Sequence, residues 1–170
     1  AQGRWTGLLS TSARSTAPAI SALALVRKHT AANRFGDAIR GGIDWLAGHQ
    51  NADGGWGDTD KSHSNVATTM LVRAAFHLAG RAAPHVDQLA RAERYLDSNG
   101  GLDALRARYG KDKTFAVPIL TNCALAGLVP WSEVPPLPFE LAYVPQRFYR
   151  FVRLPVVSYA IPALVAIGQV

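Results

Sequence analysis

Scarcities narrow this 170-residue chain before any motif does. Cysteine occurs once, as Cys123, which excludes an internal disulfide framework and a cysteine-based zinc site and leaves no demand for an oxidising compartment. A reducing cytosol is therefore the expected location. No apolar stretch reaches the roughly 18 residues of a membrane-spanning helix. The opening Ala1-Gln2-Gly3-Arg4-Trp5 lacks an apolar signal-peptide core, so a transmembrane protein is not expected. His29, His49, His63, His77 and His85 form no i,i+4 pair and no HExxH, and zinc chemistry has no support. Without a G-x-S-x-G elbow, a P-loop or a G-x-G-x-x-G, acyl transfer and nucleotide chemistry have no foothold either. No cofactor, no metal site and no catalytic residue are expected within these residues.

Charge is sparse too, at 18% of residues, with 18 Lys plus Arg against 12 acids for a net +6. The basic residues are dispersed, with no run of five. Nucleic acid favours a clustered basic stripe with interleaved aromatics, so no nucleic-acid partner is expected. Dispersed arginine reads first as an ordinary solvated surface and second as a surface lying on an anionic membrane. What remains is globular: 48% hydrophobic residues, enough for one domain, since a chain near this size buries roughly two thirds of its unfolded surface.

Residues 34–50 place Phe35, Ala38, Ile39, Gly42, Trp45 and Leu46 on one helical face, with Arg34, Asp37, Arg40 and Asp44 elsewhere. After a glycine-rich break, Ser64 or Asn65 can cap a helix running to about Ala79, with Gly80 as its stop. Its apolar stripe is Ala67, Met70, Leu71, Ala74, Ala75 and Leu78. Residues 85–98 set Val86, Leu89 and Leu96 opposite charged positions, and a short helix carrying Leu102, Leu105 and Tyr109 follows Gly100-Gly101. From Thr114 to Leu128, and again from Pro155 to Val170, there is no charge at all. Pro118 is tolerable there if it lies in the first turn of its helix. The proline-rich stretch between Val129 and Pro145, which contains Trp131, Leu137, Phe139 and Tyr143, reads as an extended loop.

Helices polar on one side thus alternate with helices apolar nearly all round, and the latter must be covered on every face. The pattern implies an all-α chain in two layers, as in an α/α toroid or a helical solenoid, with an irregular helical bundle as the alternative.

The informative segment runs from Arg40 to Asp58, Arg40-Gly41-Gly42-Ile43-Asp44-Trp45-Leu46-Ala47-Gly48-His49-Gln50-Asn51-Ala52-Asp53-Gly54-Gly55-Trp56-Gly57-Asp58. Gln50 stands at a helix end, where a side-chain amide can bond orphaned backbone groups. Gly54, Gly55 and Gly57 allow the positive φ angles of a tight turn, and Trp56 folds back as a flat cover able to hydrogen-bond. Cys123, in an uncharged helix, reads as a small buried apolar residue and not as a nucleophile.

This segment resembles the QW motif of the terpene cyclase superfamily, with Arg40, Gly41, Trp45, Leu46, Gln50, Gly54 and Trp56 falling on motif positions. Trp5-Thr6-Gly7-Leu8-Leu9-Ser10, Asn99-Gly100-Gly101-Leu102 and the stretch from Pro130-Trp131 to Pro138-Phe139 extend the likeness over nearly the whole chain. The resemblance, closest to the amino-terminal part of squalene-hopene cyclases, implies a single α/α-toroid domain over residues 1–170, part of an α6-α6 barrel of the prenyltransferase and terpene cyclase type. It further implies that the Gln stacks on the Trp and ties an outer helix to its neighbour's terminus, a structural role.

By the same resemblance this is one part of a larger two-barrel class II triterpene cyclase, inactive alone. Its partners would be a squalene-like polyprene, a C-terminal catalytic barrel in cis or trans, and the inner face of the cell membrane, on which such cyclases lie as monotopic proteins. Phe151, Phe148, Tyr149 and Tyr159 are the implied candidates for lining the substrate cavity. The family's proton donor, the middle Asp of an Asp-x-Asp-Asp motif, is absent from these residues, and Asp58-Thr59-Asp60-Lys61 is the nearest string. A non-catalytic isoprenoid-binding or scaffold domain, and a diterpene cyclase or prenyltransferase relative acting on a diphosphate, are the alternatives. Loop oxygens at Asn51, Asp53, Asp58 and Asp60 are a poor match to calcium-binding loops.

Overall fold

The computed structural model describes residues 11–30, 35–109, 113–135 and 146–151. The segment before Thr11, residues 136–145 of the proline-rich loop and the uncharged stretch from Pro155 lie outside these described residues. Seven α-helices follow one another: α1 (Ala13–Thr30), α2 (Gly36–Gly48), α3 (Val66–Leu78), α4 (Val86–Ser98), α5 (Gly101–Tyr109), α6 (Lys113–Leu125) and α7 (Gln146–Phe151), with no strand among the described residues.

Two layers form as the polarity pattern requires. α1, α3 and α6 stand side by side, with α3 in the middle packed on both neighbours, while α2 covers α1 and α3, and α4 and α5 cover α3 and α6. α3 is buried nearly all round, through Ala67, Thr68, Thr69, Met70, Leu71, Val72, Ala74, Ala75 and Phe76. This is the α/α toroid-type arrangement of an inner row backed by outer helices.

Helix ends explain the sharp corners. Asn65 caps α3 by accepting the Thr68 amide at 2.9 Å. At the other end Gly80 adopts φ 69°, the Gly80 amide bonds His77 O and the Arg81 amide bonds Phe76 O, which is the Schellman closure. The end of α6 repeats it at Gly127, with Leu128 N on Cys123 O and Gly127 N on Ala124 O.

Three details depart from the periodicity. α2 buries Ile39, Ile43 and Leu46, so Ile43 takes the place expected of Ala38, which is exposed. Gly42 faces α1 so closely that a Cβ there would stand 2.8 Å from Ile20 Cδ1, and the helices approach through that gap. Val86 is 64% exposed, and Ala92 with Leu96 buries α4 instead. Pro118 is not in the first turn, because α6 starts at Lys113 and places the proline in the second. It removes the ladder bond to the Thr114 carbonyl. Pro18 occupies the same sixth position of α1, so two inner helices share the interruption.

Candidate functional site

The last turn of α2 presents carbonyls that no later helical amide can satisfy, and three of them are taken by side chains. The His49 Nδ1 sits 2.7 Å from Trp45 O and its ring stacks on the Trp45 ring at 4.1 Å. The indole Nε1 of Trp56 donates to Leu46 O at 2.8 Å. The amide of Gln88, in the first turn of α4, donates to Ala47 O at 2.8 Å. Gln50 works in the other direction: its Nε2 donates to Gly54 O and to Gln88 O, each at 2.8 Å, and its Oε1 accepts from the Arg91 guanidinium. Gln50 and Gln88 thereby cross-link the end of α2 to the start of α4 through reciprocal side-chain to backbone bonds. The end carbonyls of α2 are taken by Trp56, Gln88 and His49, while the Gln50 amide bonds the backbone carbonyls of Gly54 in the turn and of Gln88 at the start of α4.

Trp56 is completely buried. Its main-chain amide donates to Thr69 Oγ1 and its carbonyl accepts from Asn65 N, both at 3.0 Å, so one residue joins α2 to α3 through side chain and backbone together. The ring lies tilted against Phe76 at 6.4 Å between centroids. Burying such a ring contributes about 1.5–3 kcal/mol or more relative to exposure.

The turn between Gln50 and Trp56 needs glycine for two different reasons. Gly54 has φ 90°, a left-handed conformation that side chains resist. Gly57, with no such angle, sits where a Cβ would meet Ser62 O at 2.2 Å, and Gly55 is likewise held by close approach, to Ser64. Positive φ is thus used at one of the three glycines, contrary to the expectation for all of them. Asp53 steadies the turn by accepting from Gly55 N at 3.0 Å and from the Ser64 hydroxyl at 2.7 Å.

Asp58 anchors the far side. Its carboxylate accepts from Thr68 Oγ1 at 2.6 Å, Asn65 Nδ2 at 2.9 Å and Arg14 Nη1 at 3.0 Å, and its main-chain carbonyl accepts from Ser12 Oγ at 2.8 Å. Partial burial pushes its pKa up, but the bonds from Thr68, Asn65 and Arg14 together with the Arg14 charge outweigh that and hold it below the ordinary carboxylate value.

Residues 1–165 match the family described as the squalene-hopene cyclase N-terminal domain. The chain belongs to that family. Among curated proteins it is 32% identical over 117 residues to the enfumafungin synthase of Hormonema carpetanum, covering 67% of this chain and 8% of that protein. It is 30% identical over 106 residues to a squalene hopane cyclase of Aspergillus fumigatus, covering 61% and 13%. It is 32% identical over 105 residues to a terpene cyclase-glycosyl transferase fusion protein of Humicola fuscoatra, covering 60% and 7%. The matched region spans about a tenth of the length of these relatives. No solved structure gives a significant match.

In this squalene-hopene cyclase N-terminal domain the motif positions divide into two groups. Leu46, Gln50, Gly54 and Trp56 meet in the clasp. Arg40 pairs with Asp37 on the exposed face, Gly41 faces open space, and Trp45 contributes its carbonyl and its ring to His49. Of the aromatic candidates, Phe148 is half exposed and Phe151 is 84% exposed on α7, while the Tyr149 side chain and the whole of Tyr159 lie outside the described residues. Gln88, Arg91, Thr69 and Arg14 are members that motif spacing does not reveal.

Proposed function

We propose that this domain supplies part of the wall of an apolar cavity in a class II triterpene cyclase of the squalene-hopene type, an intramolecular transferase that folds and cyclises a squalene-like polyprene to a hopanoid-type product. The observation that carries the reading is the clasp itself, Trp56 on Leu46 O and Gln50 on Gln88 O, each at 2.8 Å, within a domain of that family.

Cyclisation of this class begins by protonating an isolated alkene, which needs a carboxylic acid kept protonated in a site that excludes water. Asp58, the nearest acidic string to the family's donor motif, does the reverse: its partners favour the ionised form, so it holds helices and gives up no proton. The acid then comes from a second, catalytic barrel, in cis or in trans, and the present domain contributes shape, dryness and aromatic faces for cation–π stabilisation. Phe151, Phe148, Tyr149 and Tyr159 are the residues assigned to that face. No described helix is long and apolar enough to cross a membrane, and access to a lipid substrate is by lying on the membrane surface.

The test is to incubate the polypeptide carrying this domain with squalene in detergent and to analyse the neutral lipids. A pentacyclic triterpene that disappears on Trp56→Ala supports the reading. Recovery of unreacted squalene, or turnover only of a prenyl diphosphate with Mg²⁺, overturns it.

A further inference from the structure

α4 sorts its charges by face. Glu93 and Asp97, one turn apart, line a cleft toward α5 and α6, whereas Arg91, Arg94, Tyr95 and Ser98 stand at i, i+3, i+4 and i+7 and share another stripe. That stripe walls a groove of about 690 Å³, whose far side is the motif turn with Asp53 and the following loop with His63. The turn is pressed onto the helix: a Cβ on Gly54 would meet Arg91 O at 2.7 Å, and one on Gly55 would meet Tyr95 Cδ1 at 3.0 Å. Backbone packing therefore holds the two walls in place. Neither arginine has a carboxylate partner among the described residues, where the ion pairs engage Arg14, Arg40, Arg73 and Arg106. Arg91 donates to Gln50 Oε1, a neutral acceptor, and Asp87, a turn earlier on the same stripe, forms no ion pair with it. Asp53, the acid of the groove, is taken by Gly55 N at 3.0 Å and the Ser64 hydroxyl at 2.7 Å. The groove thus keeps two guanidinium charges against one carboxylate.

We propose that this groove binds the phosphate group of a phosphate monoester, held between Arg91 and Arg94. The two side chains leave successive turns of one stripe with Cβ atoms about 5–6 Å apart, so their guanidinium forks take separate oxygens of the dianion. A planar carboxylate fills one fork, whereas a tetrahedral phosphate has oxygens for both. Tyr95 stands on the same stripe, and because burial and the Asp53 charge raise its pKa, its hydroxyl stays protonated and is available as a further donor. The volume lies within the usual range for small-ligand sites and leaves room for the rest of the ester. A soluble ester and a lipid head group share this chemistry.

Calorimetric titration of the polypeptide carrying this domain, at low ionic strength, compares glycerol 3-phosphate with acetate and with inorganic phosphate. Glycerol 3-phosphate is expected to bind saturably, about tenfold tighter than acetate, as one additional charge-assisted hydrogen bond implies, and more tightly than inorganic phosphate. Arg94→Gln, at an exposed position, should weaken it about tenfold. Arg40→Gln, which removes the same charge from the exposed face of α2, should leave it unchanged. Cosedimentation with phosphatidylcholine vesicles containing phosphatidic acid separates the sources. Retention that Arg94→Gln abolishes and glycerol 3-phosphate competes away assigns a lipid head group, and retention that is absent or unchanged in Arg94→Gln assigns a soluble ester. The proposal is overturned by no saturable binding of glycerol 3-phosphate, by acetate or inorganic phosphate binding as tightly, which means an adventitious ion only, or by an equal loss in Arg40→Gln, which means net charge alone. None of these results bears on the cyclase reading, because the groove is polar and lies on an outer helix.

Discussion

At the scale of single residues, Asp58 does more than its place beside a turn suggests. One carboxylate and one carbonyl hold Arg14 of α1, the capping Asn65 and Thr68 of α3. Because these donors favour the ionised form, the stability they confer is complete above the ordinary carboxylate range and is lost as pH falls through the depressed folded-state value. Asp58→Asn should therefore lower stability at neutral pH and flatten the acid limb of the stability profile. Urea midpoints measured from neutral to strongly acidic pH check this, and parallel profiles for the two proteins would count against it. The same scale shows what spacing reveals and what it hides. Gln50 and Trp56 are legible because each has one partner, Gly54 O and Leu46 O respectively, within the same short segment. Gln88 and Arg91, 38 and 41 residues away from their clasp partners, carry no local signal, since a glutamine or arginine on an exposed helix face reads as solvated until the fold brings α4 to α2.

At the scale of elements, polarity and capping signals survive into the structure where they act locally, and fail where a neighbouring helix decides. Asn65 as N-cap and Gly80 as stop are backbone effects within a few residues, and both stand. The buried phase of α2 is set by α1: the absent side chain of Gly42 admits Ile20, which turns Ile43 inward. The start of α6, one turn before the position that Pro118 suggests, is a case of tertiary packing of a helix apolar all round outweighing the loss of one ladder bond. Asn65 links the two scales, since its oxygen caps α3 while its nitrogen bonds Asp58 at 2.9 Å. Replacement by Ala removes both bonds and should cost about 1–2 kcal/mol. Replacement by Asp keeps the cap acceptor but sets two carboxylates side by side. Asn65→Asp should be the less stable of the two at neutral pH and should recover as acid protonates one of the pair. Chemical denaturation of both variants at two pH values decides, and an Asp variant as stable as the parent at neutral pH would refute the shared-site geometry.

At the scale of the whole molecule, the two-layer plan follows from polarity alone, because helices without charge cannot face water on any side. Direct cover is seen where both layers are present: α3, backed by outer helices and flanked by α1 and α6, exposes almost none of its apolar residues. Cover is incomplete elsewhere, at Val26 of α1 and Val86 of α4 as well as later in the chain. Leu125 at the end of α6 is 42% exposed, Trp131 in the turn after it 41%, and α7 presents Phe148 and Phe151. Exposed large apolar groups are candidates for burial against a further surface. The 170-residue chain on its own should accordingly bind a hydrophobic dye such as ANS and self-associate as concentration rises. Phe151→Ser, at a position that is 84% exposed, should reduce both effects without lowering the urea midpoint. A monodisperse, dye-silent monomer with a single cooperative unfolding transition would instead mean that the inner row is already closed, and the domain would stand as a self-contained module with no need of a second barrel.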